Sequence, residues 1–182
     1  MDEQIKEISE RLKGLRDVLQ LSQEDMALQS GVDLEDLRQA ETGETDISVS
    51  LLQKIAKCYN ITLDELMFGL EPRMTSYFLT RYGKGQSVER SAAYKYQSLA
   101  GGFKGRLADP FLVTVESNDN PVSLNKHTGQ EFDIVLKGKL LINVGGRELV
   151  LNEGDSLYFN AKLLHGMKAL DGQKAVFIAI IV

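Results

Sequence analysis

The sequence predicts an α+β chain of two domains, an all-α five-helix bundle followed by an all-β antiparallel barrel or jelly roll. Three observations carry that prediction. The apolar spacing falls from about 3.6 residues to 2 near residue 70. Glycine and proline change with it: only Gly14, Gly31 and Gly43 precede Gly69, whereas Pro72, Pro110 and Pro121 all follow it. Charge changes too, with seven basic and fifteen acidic residues in 1–67 against fourteen and eleven in 68–182. A chain of 182 residues accommodates two domains, and the boundaries are expected at 1–68, a linker at 69–75, and 76–182.

In residues 3–20, Ile5, Ile8, Leu12, Leu15, Val18 and Leu19 recur at three- and four-residue intervals, the mark of an amphipathic helix. Ser22 is a candidate N-cap for a second helix, with Glu24 and Asp25 in the first turn where the dipole favours acids, and Gly31 ends it. Asp33 is positioned to cap a third helix through about Glu41, carrying Leu34, Leu37 and Ala40, with Gly43 just beyond. Ser48 or Ser50 opens a fourth, with Leu51, Leu52, Ile55, Ala56 and Tyr59, and Thr62 caps a short fifth with Leu63, Leu66 and Met67.

Beyond Pro72, period-2 segments predict strands at Ser76–Tyr82, Ala93–Leu99, Phe111–Ser117, Glu131–Leu136, Lys139–Val144, Arg147–Leu151, Ser156–Phe159, His165–Ala169 and Ala175–Val182. Lys137-Gly138 and Gly145-Gly146 read as hairpin turns.

Composition excludes several classes. Apolar residues come in short runs, below the roughly 18 consecutive ones of a spanning helix. The start, Met1-Asp2-Glu3-Gln4, lacks the basic and apolar regions of a signal peptide. The single Cys58 rules out an intramolecular disulfide and reads as a small core residue. A cytoplasmic protein without membrane partners is expected.

The stretch that includes Ile8 to Leu12, Leu15-Arg16, Leu21 to Glu24, Ser30 to Val32, Glu41 to Gly43 and Leu52 to Ala56 resembles the lambda-repressor/Cro-like helix-turn-helix family over about sixty residues. That resemblance implies a third helix lying in the DNA major groove and a second crossing the backbone. Carried onto this chain, it gives Ser22, Gln23, Leu34, Glu35, Asp36, Arg38 and Gln39 as the DNA-facing set. Arg16 and Glu41 match a pair that ties the first helix to the end of the third. The recognition helix departs from a typical reader: Arg38 stands against Asp33, Glu35, Asp36 and Glu41. Carboxylates repel phosphate, although one facing a base edge accepts from cytosine N4.

Two further stretches, His127-Thr128-Gly129-Gln130-Glu131 followed six residues later by Gly138, and Gly154-Asp155-Ser156-Leu157-Tyr158-Phe159 ahead of His165, resemble the two cupin motifs. The resemblance implies that His127, Glu131 and His165 occupy metal-ligand positions. Asn125 stands where the family has its first histidine, and Asn160 where it commonly has proline. Two imidazoles and a carboxylate suit one divalent transition metal, zinc, iron, nickel or manganese; a metal-free pocket reusing the same polar cluster is the alternative. Tyr94, Tyr96, Phe132, Tyr158 and Phe159 serve equally as barrel-mouth or core residues.

The two resemblances together imply a regulator without enzymatic activity, a homodimer on a double-stranded operator, modulated by a small-molecule effector in the barrel. Two alternatives stay open: a metal-dependent dioxygenase or isomerase with an autoregulatory head, and an acidic adaptor that binds protein instead of DNA.

Overall fold

The computed structural model describes residues 3–69, 73–91 and 94–182, with the backbone alone for 88–91. The chain divides into two compact units, Met1–Glu71 with Val88–Ser91, and Pro72–Ser87 with Ala92–Val182. Residues 70–72 of the expected linker, Met1-Asp2 and Ala93 lie outside the described residues.

Five helices form the first unit: α1 (Glu3–Val18), α2 (Gln23–Ser30), α3 (Leu34–Thr42), α4 (Val49–Cys58) and α5 (Leu63–Phe68). Their starts follow from side chains that accept orphan backbone N–H groups. Ser22 accepts from Asp25, Asp33 from Glu35 and Asp36, and Ser48, not Ser50, from Leu51. Thr62 and Glu65 close a reciprocal capping box. Ile8, Leu12, Met26, Leu37, Leu52, Ile55 and Met67 fill the core at 0–1% exposure.

Three apolar residues read as core are exposed instead. α1 ends at Val18, so Val18 and Leu19 run past the bundle at 82% and 39% exposure. Cys58 is the last residue of α4 and is also exposed, its Sγ 3.4 Å from the Gln29 carbonyl.

Glu41, 3% exposed, holds the ends of α1, α2 and α3 together. Arg16 donates to it through Nε (2.8 Å) and Nη2 (3.3 Å), and Gln23 through Nε2 (2.7 Å). These hydrogen bonds keep the Arg16 guanidinium charged, raising its pKa.

The second unit holds β2 to β9 of a strand series that begins with β1 (Ser87–Ser91): β2 (Tyr94–Ser98), β3 (Asp109–Val115), β4 (Gln130–Lys137), β5 (Leu140–Val144), β6 (Arg147–Leu151), β7 (Ser156–Asn160), β8 (His165–Ala169) and β9 (Ala175–Ile181). β2 to β9 form two antiparallel sheets, ordered β2-β3-β9-β4-β7 and β6-β5-β8. β9 is the centre of the larger sheet, and its alternation puts Ala175, Phe177, Ala179 and Ile181 inward. Large residues there face small ones: Phe111 of β3 lies opposite Ala179, and Val115 opposite Ala175. Leu140 and Ile142 of β5, Leu151 of β6, and Met167 and Ala169 of β8 are the buried apolar residues of the smaller sheet.

Two expectations are corrected here. Ser76–Tyr82 is not a strand but irregular backbone between a bend at Ser76 and a turn at Tyr82; period-2 apolar spacing does not by itself supply the neighbouring edge a strand must pair with. The strand at Ser87–Ser91, with its polar Ser-Val-Glu-Arg-Ser sequence, lacks the alternation that would have announced it. Lys137-Gly138 is not a hairpin turn, because β4 and β5 belong to different sheets and the chain crosses between them there. Gly145-Gly146 does close a hairpin, between β5 and β6, with φ of +58° and +83° as a type I′ turn requires.

Glu41→Ala leaves Arg16 and Gln23 without their shared acceptor and should cost about 3 kcal/mol of stability. Urea unfolding followed by helical circular dichroism checks this; a loss under about 0.5 kcal/mol would show that the network contributes little.

Candidate functional site

β4 carries Glu131, Asp133 and Val135 on its inward face, each under 5% exposed. β8 starts with His165, at 5%, and His127 lies just before β4 at 6%. The folding of the 123–129 segment brings these together. Asn125 and His165 exchange both backbone hydrogen bonds at 2.8 Å, and the His127 N–H donates to the Ala161 carbonyl. Close approach demands glycine twice: a Cβ at Gly166 would stand 2.2 Å from the Ser123 carbonyl oxygen, and one at Gly129 1.8 Å from that of Val182.

Among the described residues, His127, Glu131 and His165 offer ligand atoms that all lie within 4.8 Å of one another. Glu131 Oε2 is 3.0 Å from His127 Nε2 and 3.7 Å from His165 Nε2. The Nδ1 of His127 stands 3.1 Å from the Thr128 carbonyl and that of His165 2.9 Å from Leu163's. A carbonyl only accepts, so both Nδ1 atoms are the donors, and in that tautomer the Nε2 lone pairs point inward. Three electron-rich atoms then converge, an arrangement that needs a positive charge between them. Two ligands at about 2.0–2.1 Å from one tetrahedral ion stand roughly 3.3 Å apart, between the two observed separations. The residues fit a divalent transition metal. Burial lowers the His165 pKa, which keeps the ring neutral and available as a ligand.

Asn125 is beside this group, half-buried, with its backbone engaged by His165. Of the five aromatic residues considered, Phe159 packs its ring 5.0 Å from that of His165. Tyr96 packs edge-on against Phe111, and Tyr94 donates to the Met167 carbonyl. Phe132 contacts Tyr158, which is 57% exposed.

Asp133 was not among the expected site residues. It is fully buried, and neither carboxylate oxygen has a hydrogen-bond partner. Burial, and then the charge of Glu131, raise its pKa well above the usual carboxylate range. Its signal was present in the sequence: it lies two residues from Glu131, hence on the same face of the same strand.

In the first unit, the expected DNA-facing residues divide. Glu35, Asp36, Arg38 and Gln39 are exposed on α3, while Leu34 is half-buried. Ser22 is engaged as the α2 cap and donates to Asp25 Oδ2 at 2.6 Å. Gln23 is held by Glu41, and Arg38 pairs with Glu24 of α2 at 2.7 Å. The helix therefore presents one paired cation beside two open carboxylates.

Residues 12–66 match the helix-turn-helix family and residues 111–181 the cupin domain family. The chain is 25% identical to the HTH-type transcriptional regulator PuuR of Escherichia coli (strain K12) over 156 residues, which are 85% of this chain and 83% of that protein. It is similar in fold to an HTH_3 family transcriptional regulator from Vibrio cholerae, with TM-score 0.67 and 24% identity over 98% of this chain and 96% of that one. A second similar structure is hydroxypropylphosphonic acid epoxidase from S. wedmorenis, with TM-score 0.53 and 21% identity over 97% of each chain. No helix of the described residues is long and apolar enough to cross a membrane.

The raised Asp133 pKa has a definite sign. The folded state holds this proton more tightly than the unfolded state, so folding stability falls as pH rises from the ordinary carboxylate range through the raised value. In chelator-treated protein, Asp133→Asn should melt above wild type at neutral pH, with the gap narrowing on acidification. A variant that melts lower at every pH would contradict this reading of the carboxyl.

Proposed function

The chain carries a helix-turn-helix domain ahead of a cupin domain, and from that pairing we propose a cytoplasmic DNA-binding transcription regulator whose barrel senses a divalent metal, a small-molecule effector, or both. In this reading 1–68 is the DNA-binding head, 69–75 the linker and 76–182 the sensor. The observation that carries it is α3, which holds Glu35, Asp36, Arg38 and Gln39 open to solvent on a helix fixed at its end by Glu41. Gln39 is the residue suited to bidentate reading of adenine, and Arg38, once released from Glu24, to phosphate or guanine. A homodimer would present two such helices to half-sites about 34 Å apart.

His127, Glu131 and His165 would hold the metal, with Asn125 alongside. A bound cation supplies the positive charge that their converging lone pairs require, and it offers a Lewis-acidic point for an effector carrying oxygen or nitrogen donors. The protein's own residues do the rest. Thr128 and Leu163 carbonyls fix the two imidazoles, Phe159 packs against His165 on one side, and Asp133 sets a second buried carboxyl, favoured in its protonated form, beside Glu131. For regulation, the ligand must bind two states of the protein with different affinity.

The fold by itself does not separate a regulator from an enzyme, since an epoxidase shares it. Asp133 is the observation that favours an enzyme, as a buried carboxyl of raised pKa beside the metal group.

Two outcomes are expected. The full chain should retard the DNA upstream of its own gene in a gel shift at low salt, and Gln39→Ala should lose about tenfold on that DNA while keeping its affinity for random duplex. Absence of binding at every salt concentration would favour the protein adaptor. Elemental analysis of protein purified without added metal should give about one transition metal per chain, lost in His127→Ala and His165→Ala. Metal content unaffected by either substitution would remove these residues as ligands.

A further inference from the structure

Non-specific DNA affinity comes from cations that neutralise phosphates, and five of the seven basic residues in 1–67 are engaged internally, leaving Lys6 and Lys57 exposed. Arg11 donates to the Leu66 and Met67 carbonyls, Lys13 pairs with Glu10, Arg16 with Glu41 and Arg38 with Glu24, and Lys54 donates to the Gly31 carbonyl. The dense basic stretch lies elsewhere: residues 73–106 contain seven basic residues and a single acid, Glu89.

Within the second unit this stretch doubles back on itself. Met74 bridges to Phe103, its N–H donating to the Gly102 carbonyl and its carbonyl accepting from Lys104 at 2.7 Å. The Phe78 ring lies over Gly102, where a Cβ would come within 2.2 Å of it. Thr80 Oγ1 donates to the Leu99 carbonyl, and Gln97 to that of Gly85. A two-ply ridge results, with the Lys84 N–H donating to the Arg81 carbonyl across a turn at one end and Lys104 toward the other.

Arg81, Lys84 and Lys104 are exposed and, among the described residues, have no ion pair. Tyr77 and Tyr82 beside them are 73% and 101% exposed. Arg, Lys and Tyr side chains are what contact phosphate and sugar, whereas lysine is depleted from protein–protein interfaces. We propose that this ridge is a second DNA contact outside the helix-turn-helix domain, binding backbone phosphates through Arg81, Lys84 and Lys104 with Tyr82 as an added hydroxyl donor. The proposal rests on the DNA-binding reading above. It assigns positioning charge to the ridge and base reading to α3, which explains how an acidic head operates on an acidic ligand.

The test is fluorescence anisotropy of the full chain with the upstream duplex and with a random duplex across a salt series. Arg81→Gln with Lys84→Gln should weaken both duplexes by the same factor and reduce the slope of log affinity against log salt by about two, with Lys104→Gln removing about one more. Tyr82→Ala, which leaves charge unchanged, should weaken both duplexes while leaving the slope unchanged. Unchanged melting temperatures confirm folded variants. Wild-type affinity and slope in the charge variants, with Gln39→Ala still impaired, would overturn the ridge and leave the DNA-binding reading standing. Tighter binding, or a changed sedimentation coefficient without DNA, would overturn it in favour of a site for an acidic protein surface or a second copy. Failure of the wild type to bind either duplex at low salt would bring down the DNA-binding reading, and the ridge with it.

Discussion

Inside the barrel, one carboxylate sets the terms for its surroundings. Glu131 is 4% exposed, accepts from no lysine or arginine among the described residues, and faces two imidazoles whose outer nitrogens are committed to carbonyls. An uncompensated buried charge costs several kcal/mol, so this position persists only if a cation, a proton or a metal, joins the group. The features around it make sense in that light. Asn125 pins His165, Gly166 admits the 123–125 backbone against β8, and Gly129 lets the chain turn tightly beneath Val182. Asp133 places a second buried carboxyl next to the first, where burial and the charge of Glu131 raise its pKa and favour its neutral form.

The head repeats this logic with a different solution. Glu41 is buried to a similar degree, yet Arg16 and Gln23 compensate it from within the chain. One buried acid is thus compensated by a guanidinium and an amide, while the other meets two imidazoles and a second carboxyl. A similar contrast separates Arg16 and Arg38 of the first unit, which are paired, from Arg81, Lys84 and Lys104, which among the described residues have no ion pair.

Much of this was legible from the residues. Cap side chains and the 3.6-residue period located all five helices, because those signals are local. Most β strands were legible for the same reason, and the His127, Glu131 and His165 spacing pointed to a group that the fold does bring together. What escaped depends on non-local partners. Ser76–Tyr82 alternates like a strand but has no neighbouring edge, Ser87–Ser91 is a strand without alternation, and Lys137-Gly138 has turn chemistry while joining two sheets. Gln23 looked available to DNA until Glu41 was found 2.7 Å away, a contact between residues 18 positions apart. Asp133 is not a ligand position of either motif, although its parity with Glu131 places it inward.

The account's central claim is that occupancy of the barrel alters the head's hold on DNA. The most direct test is the affinity of the full chain for its upstream duplex, measured with the protein metal-loaded and again after chelator treatment. The account predicts a difference of at least about fivefold, in line with ordinary coupling energies, that vanishes in His165→Ala. Equal affinities in a protein that demonstrably gains and loses the metal would contradict it.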